Sequence, residues 1–371
     1  MKKNQKETAR RNIALLLTIA LMAALFSGCS GGSTSGTPAP TASASASAAP
    51  QSEAPAEKIV LKVADIYAPN HYVPANSLMV WTKRVTELTN GQVEFEIYPS
   101  QQMGSTNDML DIMSQGIADV GYVPMPYFNS RMPLITGAGA LSGSWTSCAS
   151  GNLAIWEVAS TSPVLENDFL SNSIRPVLPF ANMSFQLLTN KKQVKTLEDI
   201  KGLKIRSSGG IMDDIITAFG AIPVQIPVTE LYEAMSRGTV DGTLISCISA
   251  NSNKINEASK YVTTGINVSG GVYGYVINED AWQTLPANVQ EAMMTAAKEA
   301  LAQLGTTMDQ MEKDTLAAFE KSNLTVYELS AEEQQKWIDV QAPIEEKWIA
   351  DMKSKGLDGA AVLENIRANA K

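Results

Sequence analysis

Apolar residues recur along this chain at two spacings, and each spacing predicts its own kind of element. Three short apolar runs bounded by turn residues are predicted strands, at 59–64, 93–98 and 119–123. Between them, apolar residues return every three or four positions, which predicts helices, at 74–89 and 105–115. The Gly-rich run 133–145 is predicted to be irregular. Strands that alternate with helices favour parallel pairing in an α/β sheet.

The segment 196–242 carries the most regular succession of predicted elements, in the order β-α-β-α-β. Its first helix is predicted over 211–219, and the turn at Asp241 leads into its third strand. Arg206 lies where the first strand of the segment ends, before a turn of Ser and Gly residues. In open α/β sheets ligands bind outside the carboxyl ends of strands, and the planar guanidinium of an Arg there suits a carboxylate.

Helical spacing dominates the last third of the chain. An apolar stripe predicts one long helix over 286–322, which at 1.5 Å per residue would measure roughly 54 Å. Ser330 and Glu333 form a capping box that predicts a last long helix, ending near Asp351. The remaining strands are expected at 174–180, 261–267, 274–277 and 324–328.

The N-terminal residues have a composition that is typical of targeting and not of a fold. Residues 1–28 begin with basic side chains and continue with an apolar run too short for an ordinary spanning helix, as in a signal peptide. The segment ends in Gly28-Cys29, which resembles a bacterial lipoprotein signal with Cys29 as the lipidated residue. An ordinary secretory signal with a chance cysteine is the alternative. Residues 29–57 are rich in Ser, Ala and Pro and are predicted to be a flexible tether.

Charge and composition narrow the classes of partner. The chain has 371 residues, 44% of them hydrophobic, which is enough for about two domains. Its formal net charge is −9, and because residues 1–28 hold five basic side chains and one acidic one, the rest of the chain carries −13. This charge disfavours nucleic acid and anionic lipid headgroups as partners.

Few residues could support catalysis. His71 is the only histidine, and no Ser or Cys near it has the context of a nucleophile elbow, so we expect no enzyme. We interpret His71 as a loop residue that either lies on the surface or contacts a ligand. Cys148 and Cys247 lack the spacing of a metal site, and we expect neither metal nor cofactor. Whether these two thiols are free or form a disulfide is left open by their spacing.

Two arginines are candidates for binding an anion. Arg206 has the position described above, and its alternative is an ordinary surface residue beside Lys204. Arg131, in the run FNSRMPL, is either a second ligand contact or a member of a structural ion pair, because arginines in clefts are often paired.

Six motifs follow one another between residues 59 and 351: TNGQVEFEIYPSQQMG, GIADVGYV, LEDIKGLKIR, FGAIPVQIPVTELYEAM, GTVDG and VINEDAWQTLPANVQEAM. Together they resemble the solute-binding proteins of tripartite ATP-independent periplasmic (TRAP) transporters, the DctP family. Each motif is weak alone, and their number, order and spacing carry the resemblance.

The resemblance implies a two-lobed α/β periplasmic-binding-protein fold, with a ligand cleft between the lobes and the long helix spanning both. We divide the folded part into a first lobe of 58–180 plus about 270–305 and a second lobe of 181–269 plus about 306–371. The implied function is capture of a small organic acid outside the cytoplasm and its delivery to small and large TRAP membrane subunits. The implied role of Arg206 is to clamp the ligand carboxylate. With the lipoprotein signal, the protein would be lipid-anchored to the cell membrane, on its periplasmic side or outer face.

Two positions depart from the better-known family pattern. Val228 stands where an aromatic residue is common, and Ile245 stands where an Asn is common. Losing a ring and an amide weakens a sialic-acid or simple dicarboxylate assignment and predicts a more apolar site, with Met125 as a further wall. Polar or stacking contacts are expected from four more residues: Tyr127, Trp145, Ser208 and Ser246.

Three other functions stay open from the sequence. A receptor that feeds a signalling partner would have the same sequence features, and a binding protein of an ATP-driven transporter would share the architecture. A lipid-anchored enzyme is the third, and the missing nucleophile–base pair counts against it.

Overall fold

The computed structural model describes residues 57–370, so Cys29 and nearly all of the predicted signal peptide and tether lie outside the described residues. The strands of this part of the chain are β1 (Ile59–Ala64), β2 (Val93–Tyr98), β3 (Val120–Val123), β4 (Ile174–Ala181), β5 (Phe185–Thr189), β6 (Lys204–Ser207), β7 (Ile222–Gln225), β8 (Gly242–Ile245), β9 (Tyr261–Val268), β10 (Val272–Asn278) and β11 (Thr325–Glu328).

The α-helices between and after these strands are α1 (Tyr72–Asn76), α2 (Leu78–Leu88), α3 (Met109–Ser114), α4 (Pro133–Ala140), α5 (Cys148–Ala159), α6 (Ile211–Ala218), α7 (Leu231–Ser236), α8 (Cys247–Ser252), α9 (Glu279–Thr284), α10 (Ala287–Glu320), α11 (Ala331–Asp339), α12 (Ala342–Ser354) and α13 (Gly359–Asn369). Short 3₁₀ turns occur at Thr106–Asp108, Met125–Phe128, Leu170–Asn172, Leu197–Ile200, Val228–Glu230 and Ile255–Ala258, and a π-helical turn at Leu165–Phe169. Among these described helices, none combines the length and apolarity needed to cross a bilayer.

The strands form two mixed sheets. The first has the order β2-β1-β3-β10-β4, and the second has the order β11-β9-β5-β8-β6-β7. Parallel pairing joins β1 to β2 and β3, and β6 to β7 and β8, as the alternation of strands and helices predicts. The strands that return between the sheets, β10 and β5, pair antiparallel with both of their neighbours. The predicted two-lobed α/β fold is therefore confirmed, with one sheet in each lobe.

Two short connections join the sheets, one from β4 to β5 and one from β9 to β10. They lie side by side, because the Asn182 backbone N–H donates to the Gly271 carbonyl oxygen at 3.0 Å. Gly270 allows this close approach, since a Cβ atom there would stand 2.0 Å from the carbonyl oxygen of Met183. The two connecting backbones are thus in direct contact where they cross, and any relative motion of the sheets must bend them there.

The predicted long helix is α10, which has 34 residues and a length of about 51 Å. Asp309 on this helix accepts backbone N–H groups of Cys148 and Ala149 at 2.8 and 3.0 Å, at the start of α5. One turn later, Glu312 accepts those of Cys247 and Ile248 at 2.8 and 2.9 Å, at the start of α8. Because α5 packs on β4 and α8 follows β8, one helix holds an element of each lobe by satisfying N–H groups that lack partners at a helix start.

Two sequence predictions about helices are wrong. The run 133–145 is not irregular throughout, since α4 forms there; a Cβ at Gly137 would stand 1.9 Å from the Trp348 indole. Its glycine therefore makes room for a packed side chain and does not break the helix. The last predicted helix ends early at α11, because Pro343 cannot continue it and instead stands in the first turn of α12.

The C-terminal helices are shared between the sheets. α11 packs against β9 of the second sheet and buries Trp337, whereas α13 packs against α4 and α5 beside the first sheet. Trp337 and Trp348 are both buried, as expected of packing residues. The exact bounds of the two lobes stay a prediction.

Candidate ligand-binding site

A narrow cavity, with about 30 Å³ of space for the centres of water-sized spheres, lies between the two sheets. Its walls come from the ends of β1, β3 and β6 and from the region where β4, β5 and β10 cross between the lobes. The position agrees with the rule that ligands bind outside the carboxyl ends of strands.

Arg206 lies on β6, which stands between β7 and β8, and its side chain lines the cavity. It is only 5% exposed, so it is not the surface residue of the alternative interpretation. Its Nε donates to the Ile226 carbonyl oxygen at 2.7 Å, and its Nη2 donates to the hydroxyl of Tyr127. These two bonds fix the plane of the guanidinium.

Arg206 differs from the other arginines of the described chain in having no acidic partner. Within residues 57–370, the other five arginines form ion pairs with Asp or Glu, and Arg206 forms none. A buried cation without a counter-ion is costly. Two of its five N–H groups have protein partners, which leaves three for a ligand. This end of the cavity therefore offers one positive charge and three N–H donors without protein partners.

Tyr127 brings the first lobe to the same point. It lies in the 3₁₀ turn that follows β3, and its hydroxyl accepts from Arg206 and from the Val228 backbone N–H, the latter at 2.9 Å. A hydroxyl has two acceptor positions and one hydrogen. With both acceptor positions used, the hydrogen is left to donate to a third group. An anion beside Arg206 would find this donor.

Aromatic side chains form most of the remaining wall. Seven of the fourteen lining residues are Tyr or Phe. The rings of Tyr67 and Tyr122 lie 5.4 Å apart at 59°, and those of Phe180 and Tyr273 lie 6.4 Å apart and nearly parallel. The Tyr72 hydroxyl lies beside Ser249, and the Tyr273 hydroxyl beside Asn182.

Burial raises the pKa of four tyrosines in this wall, Tyr67, Tyr72, Tyr122 and Tyr273, so their hydroxyls stay protonated at neutral pH. Sequence analysis missed most of these tyrosines. Tyr67 and Tyr122 could have been found, because they lie near the ends of predicted strands, as Arg206 does.

Asp65 lies directly behind the aromatic wall, at the end of β1. It is 3% exposed, and its oxygens accept from the Tyr67 backbone N–H at 2.8 Å and from the Tyr275 hydroxyl at 2.7 Å. Burial raises the pKa of this carboxyl to about 6. No cation of the described residues forms an ion pair with it.

The structure brings together four of the predicted site residues: Arg206, Tyr127, Val228 and Ile245 all line the cavity. Three others are buried near it without reaching its surface. Met125 is fully buried in the hydrophobic core, Ser208 lies in the turn after β6, and the Ser246 hydroxyl caps α8 by accepting from the Ser249 backbone N–H. None of the three lines the cavity, and their ligand contacts stay a prediction.

Arg131 belongs to a structural ion pair and not to the cavity. Its guanidinium donates to Asp111, to the Asn172 side-chain oxygen at 2.7 Å and to the Ser114 hydroxyl at 3.0 Å. Of the two interpretations of this residue, the ion pair is the one that the structure shows. Three of its five N–H groups have these protein partners, and the residue does not line the cavity.

His71 and Trp145 each contact a lining residue without lining the cavity. The His71 ring stacks on Tyr67 with centroids 3.8 Å apart, and its Nδ1 accepts from the Val73 N–H at 3.3 Å. Burial lowers the pKa of His71 to about 4, so the ring is neutral. The Trp145 indole donates to the Asn182 carbonyl oxygen at 2.9 Å. Both residues therefore support the wall from behind.

The cysteines and the acidic side chains show no further chemistry here. Cys148 and Cys247 are buried free thiols, and burial raises the pKa of both. In the described part of the chain, no group of three or more His, Cys, Asp or Glu residues is arranged to hold a metal ion.

Comparison with known proteins agrees with the sequence motifs. The family model for bacterial extracellular solute-binding protein, family 7 (DctP) matches residues 65–351. The C4-dicarboxylate-binding periplasmic protein DctP of Rhodobacter capsulatus is 25% identical over 306 residues, which cover 79% of this chain and 87% of that protein.

Two solved structures are similar over nearly their whole length. A TRAP solute-binding protein of Rhodoferax ferrireducens in complex with benzoate has a TM-score of 0.78 and 25% identity, covering 84% of this chain and 98% of that one. A TRAP periplasmic solute-binding protein of Bordetella bronchiseptica with bound (R)- and (S)-mandelate has a TM-score of 0.77, with the same identity and coverage.

Proposed function

This chain belongs to the DctP family of bacterial extracellular solute-binding proteins, and we propose that it binds its ligand through a carboxylate held by Arg206. It is a solute-binding protein of the TRAP type and not an enzyme. Its function is to capture a small organic acid outside the cytoplasm and to deliver it to the TRAP membrane subunits. The small and large membrane subunits are thus its protein partners.

One observation carries the assignment of the site. Arg206 is buried in the cavity between the lobes, and it is the one arginine of residues 57–370 without an acidic partner. A carboxylate would satisfy both its charge and its fork of donors, because guanidinium and carboxylate match in bidentate geometry.

The same geometry explains how binding favours closure. A carboxylate at Arg206, in the second lobe, would also lie within reach of the Tyr127 hydroxyl, in the first lobe. A ligand that contacts both lobes stabilises the closed arrangement over an open one. Delivery then requires only that the lobes separate, because the contacts from Tyr127 and Arg206 are lost together.

The ligands of related proteins support a carboxylate as the common feature. The Rhodoferax ferrireducens and Bordetella bronchiseptica proteins hold benzoate and mandelate, and the Rhodobacter capsulatus protein is a C4-dicarboxylate-binding protein. These ligands differ in size, in aromatic character and in the number of charges, and all of them carry a carboxylate.

Lipid anchoring completes the proposed location. Gly28-Cys29 closes the apolar part of the signal peptide, and cleavage before Cys29 would leave its thiol for a diacylglycerol group and its amine for another acyl chain. Two or more acyl chains anchor a protein stably where a single chain does not. The tether over 29–57 would then give the folded lobes the reach to meet the membrane subunits.

A thermal-shift measurement with paired ligands tests the proposed site. Benzoate and benzamide have similar shape, and only benzoate carries a carboxylate. A ligand at 100 times its Kd should stabilise the protein by about 2.7 kcal/mol, so carboxylates should raise the Tm while their amides should not. Equal shifts for acids and amides would refute the carboxylate clamp. Uptake that is lost with either membrane subunit would separate transport from a sensor role.

A further inference from the structure

The cavity has a positive end at Arg206, and the buried carboxylate of Asp65 lies behind its aromatic wall. We propose that it selects an aromatic acid with a single carboxylate, and that Asp65 makes it reject dicarboxylates. This inference rests on the proposed function, because it assumes that the ligand carboxylate lies at Arg206.

The aromatic part of the inference comes from the wall. Half of the lining residues are Tyr or Phe, from both lobes and from the crossing strands. On this wall the rings of Tyr67 and Tyr122 lie 5.4 Å apart, and the buried ring of Tyr275 stands 5.3 Å behind Tyr122, both pairs with large tilts. Aromatic rings attract a further ring in edge-to-face and offset arrangements, which an aliphatic ligand cannot reproduce. A flat ring therefore suits this cavity better than an aliphatic chain.

The charge of the lining limits the ligand to one carboxylate. Arg206 is the only charged side chain among the lining residues. A first carboxylate is paired with it, but a second carboxylate would leave water without meeting a cation. Burying an unpaired carboxylate is strongly unfavourable.

Asp65 would also repel a second ligand carboxylate, which already lacks a cationic partner in the cavity. Its carboxyl lies behind Tyr67 and Tyr275, its two oxygens accept from these residues, and it has no cationic partner within the described chain. Burial raises the pKa of both Tyr67 and Tyr275, so their hydroxyls stay protonated and neither residue supplies a positive charge to Asp65. A second ligand carboxylate near this wall would face a like charge across a desolvated layer.

Neutral polar groups on the ring are compatible with the same wall. The hydroxyls of Tyr72 and Tyr273 lie beside Ser249 and Asn182 on the cavity surface. Each of these groups can donate or accept a hydrogen bond. A hydroxyl or amide substituent on the ring could therefore be satisfied where a carboxylate is rejected.

Calorimetry on the purified protein with five probes tests both parts. Cyclohexanecarboxylate matches benzoate in size without the aromatic ring, and should bind about three- to tenfold more weakly. Terephthalate and 4-carbamoylbenzoate have the same shape, but only terephthalate has a second charge, and it should bind at least about tenfold more weakly than the amide. Succinate, a C4-dicarboxylate, should bind more weakly than benzoate.

Variants of Asp65 and Tyr275 test whether Asp65 causes the rejection of a second carboxylate. Asp65→Asn removes the charge, and the Tyr275 hydroxyl can rotate to accept from the new amide. This variant should reduce the ratio of the affinities for 4-carbamoylbenzoate and terephthalate by at least about threefold. Asp65→Ser serves as a second neutral variant. Tyr275→Phe removes the same hydrogen bond while keeping the charge, and should leave the difference in place.

The outcomes separate this inference from the proposed function. If succinate or terephthalate binds as tightly as benzoate, and still requires Arg206, then the selectivity is wrong and the carboxylate site stands. If cyclohexanecarboxylate equals benzoate, the aromatic part is wrong. If terephthalate and 4-carbamoylbenzoate bind equally weakly, the cavity excludes both because of their size, and the proposed role of Asp65 is wrong. If no probe binds to wild type, the proposed function itself fails.

Discussion

Replacement of Arg206 by alanine removes the only charged side chain that lines the cavity. A ligand carboxylate would then be desolvated in the closed cavity without its cation. Truncating one partner of a buried charge pair costs about 2–5 kcal/mol, which corresponds to roughly 30- to 5000-fold in affinity at 1.4 kcal/mol per decade. Because Arg206 is 5% exposed, screening by water should not reduce this loss to the level of a surface pair.

The stability of the ligand-free protein should change much less. Arg206→Ala loses the hydrogen bond to the Ile226 carbonyl oxygen and the one to Tyr127, and hydrogen bonds to charged groups contribute about 1.5–3 kcal/mol each. The variant also no longer buries an unpaired guanidinium, which is itself unfavourable. The two effects oppose each other, so the free protein should stay folded while the ligand affinity falls.

Isothermal calorimetry on three variants gives the decisive comparison. Arg206→Lys should recover only part of the affinity, because an ammonium group cannot reproduce the planar fork. Arg131→Ala is the matched control, since Arg131 is held by Asp111 and Asn172 and does not line the cavity. The control should bind within threefold of wild type. The same small change for Arg206→Ala, in a protein shown to be folded, would refute the clamp.

Four further predictions follow from the same structure. Tyr127→Phe removes the hydroxyl that joins Arg206 to the Val228 N–H, and should weaken ligand binding by about three- to tenfold; calorimetry that shows no change would contradict its bridging role. Saturating ligand should reduce the radius of gyration in small-angle scattering, and an unchanged radius would argue against closure. Cys29→Ser should leave the protein unlipidated and move it out of the detergent phase, unless the signal is an ordinary secretory one. Burial raises the pKa of Asp65 to about 6, so the folded state binds this proton more tightly than the unfolded state, and the stability of the protein falls as pH rises from about 4 to 6. Asp65→Asn should therefore be more stable than wild type above pH 6 in thermal unfolding. A difference in Tm between the variant and wild type that stays constant from pH 4 to 8 would be inconsistent with this.

The sequence was sufficient for the parts of the site that depend on local order. Arg206 was identified because a short strand, a turn of Ser and Gly and a helix follow one another, and such an arrangement places its last strand residue at the ligand edge. The same reasoning would have reached Tyr67 and Tyr122, which lie near the ends of β1 and β3. These residues share a local signal that does not require knowledge of the whole fold.

Other parts depend on contacts between distant residues, which the sequence does not order. Phe180 and Tyr273 meet because β4 and β10 pair antiparallel, a register that no local pattern contains. From the sequence alone, Arg131 could be either a ligand contact or a member of an ion pair. The folded structure brings Asp111 and Asn172 to its guanidinium, and these partners identify the ion pair. The Gly-rich run 133–145 was expected to be irregular, although Gly137 lies in a helix and the Trp348 indole occupies the space beside it.

The two carboxylates on α10 define a point about which the two lobes can tilt, called the fulcrum below. Asp309 and Glu312 hold the starts of α5 and α8 and are three residues apart, about 4.5 Å along the helix axis. A movement that keeps both of these bonds cannot slide one lobe along the other, because both grips lie on the same short length of a rigid rod. It must be a tilt about that length. Since Ser249 of α8 lines the cavity, the fulcrum lies close to the ligand, where the lever arm is short. A tilt about this point would therefore move the outer rims of the lobes further than the residues beside the cavity.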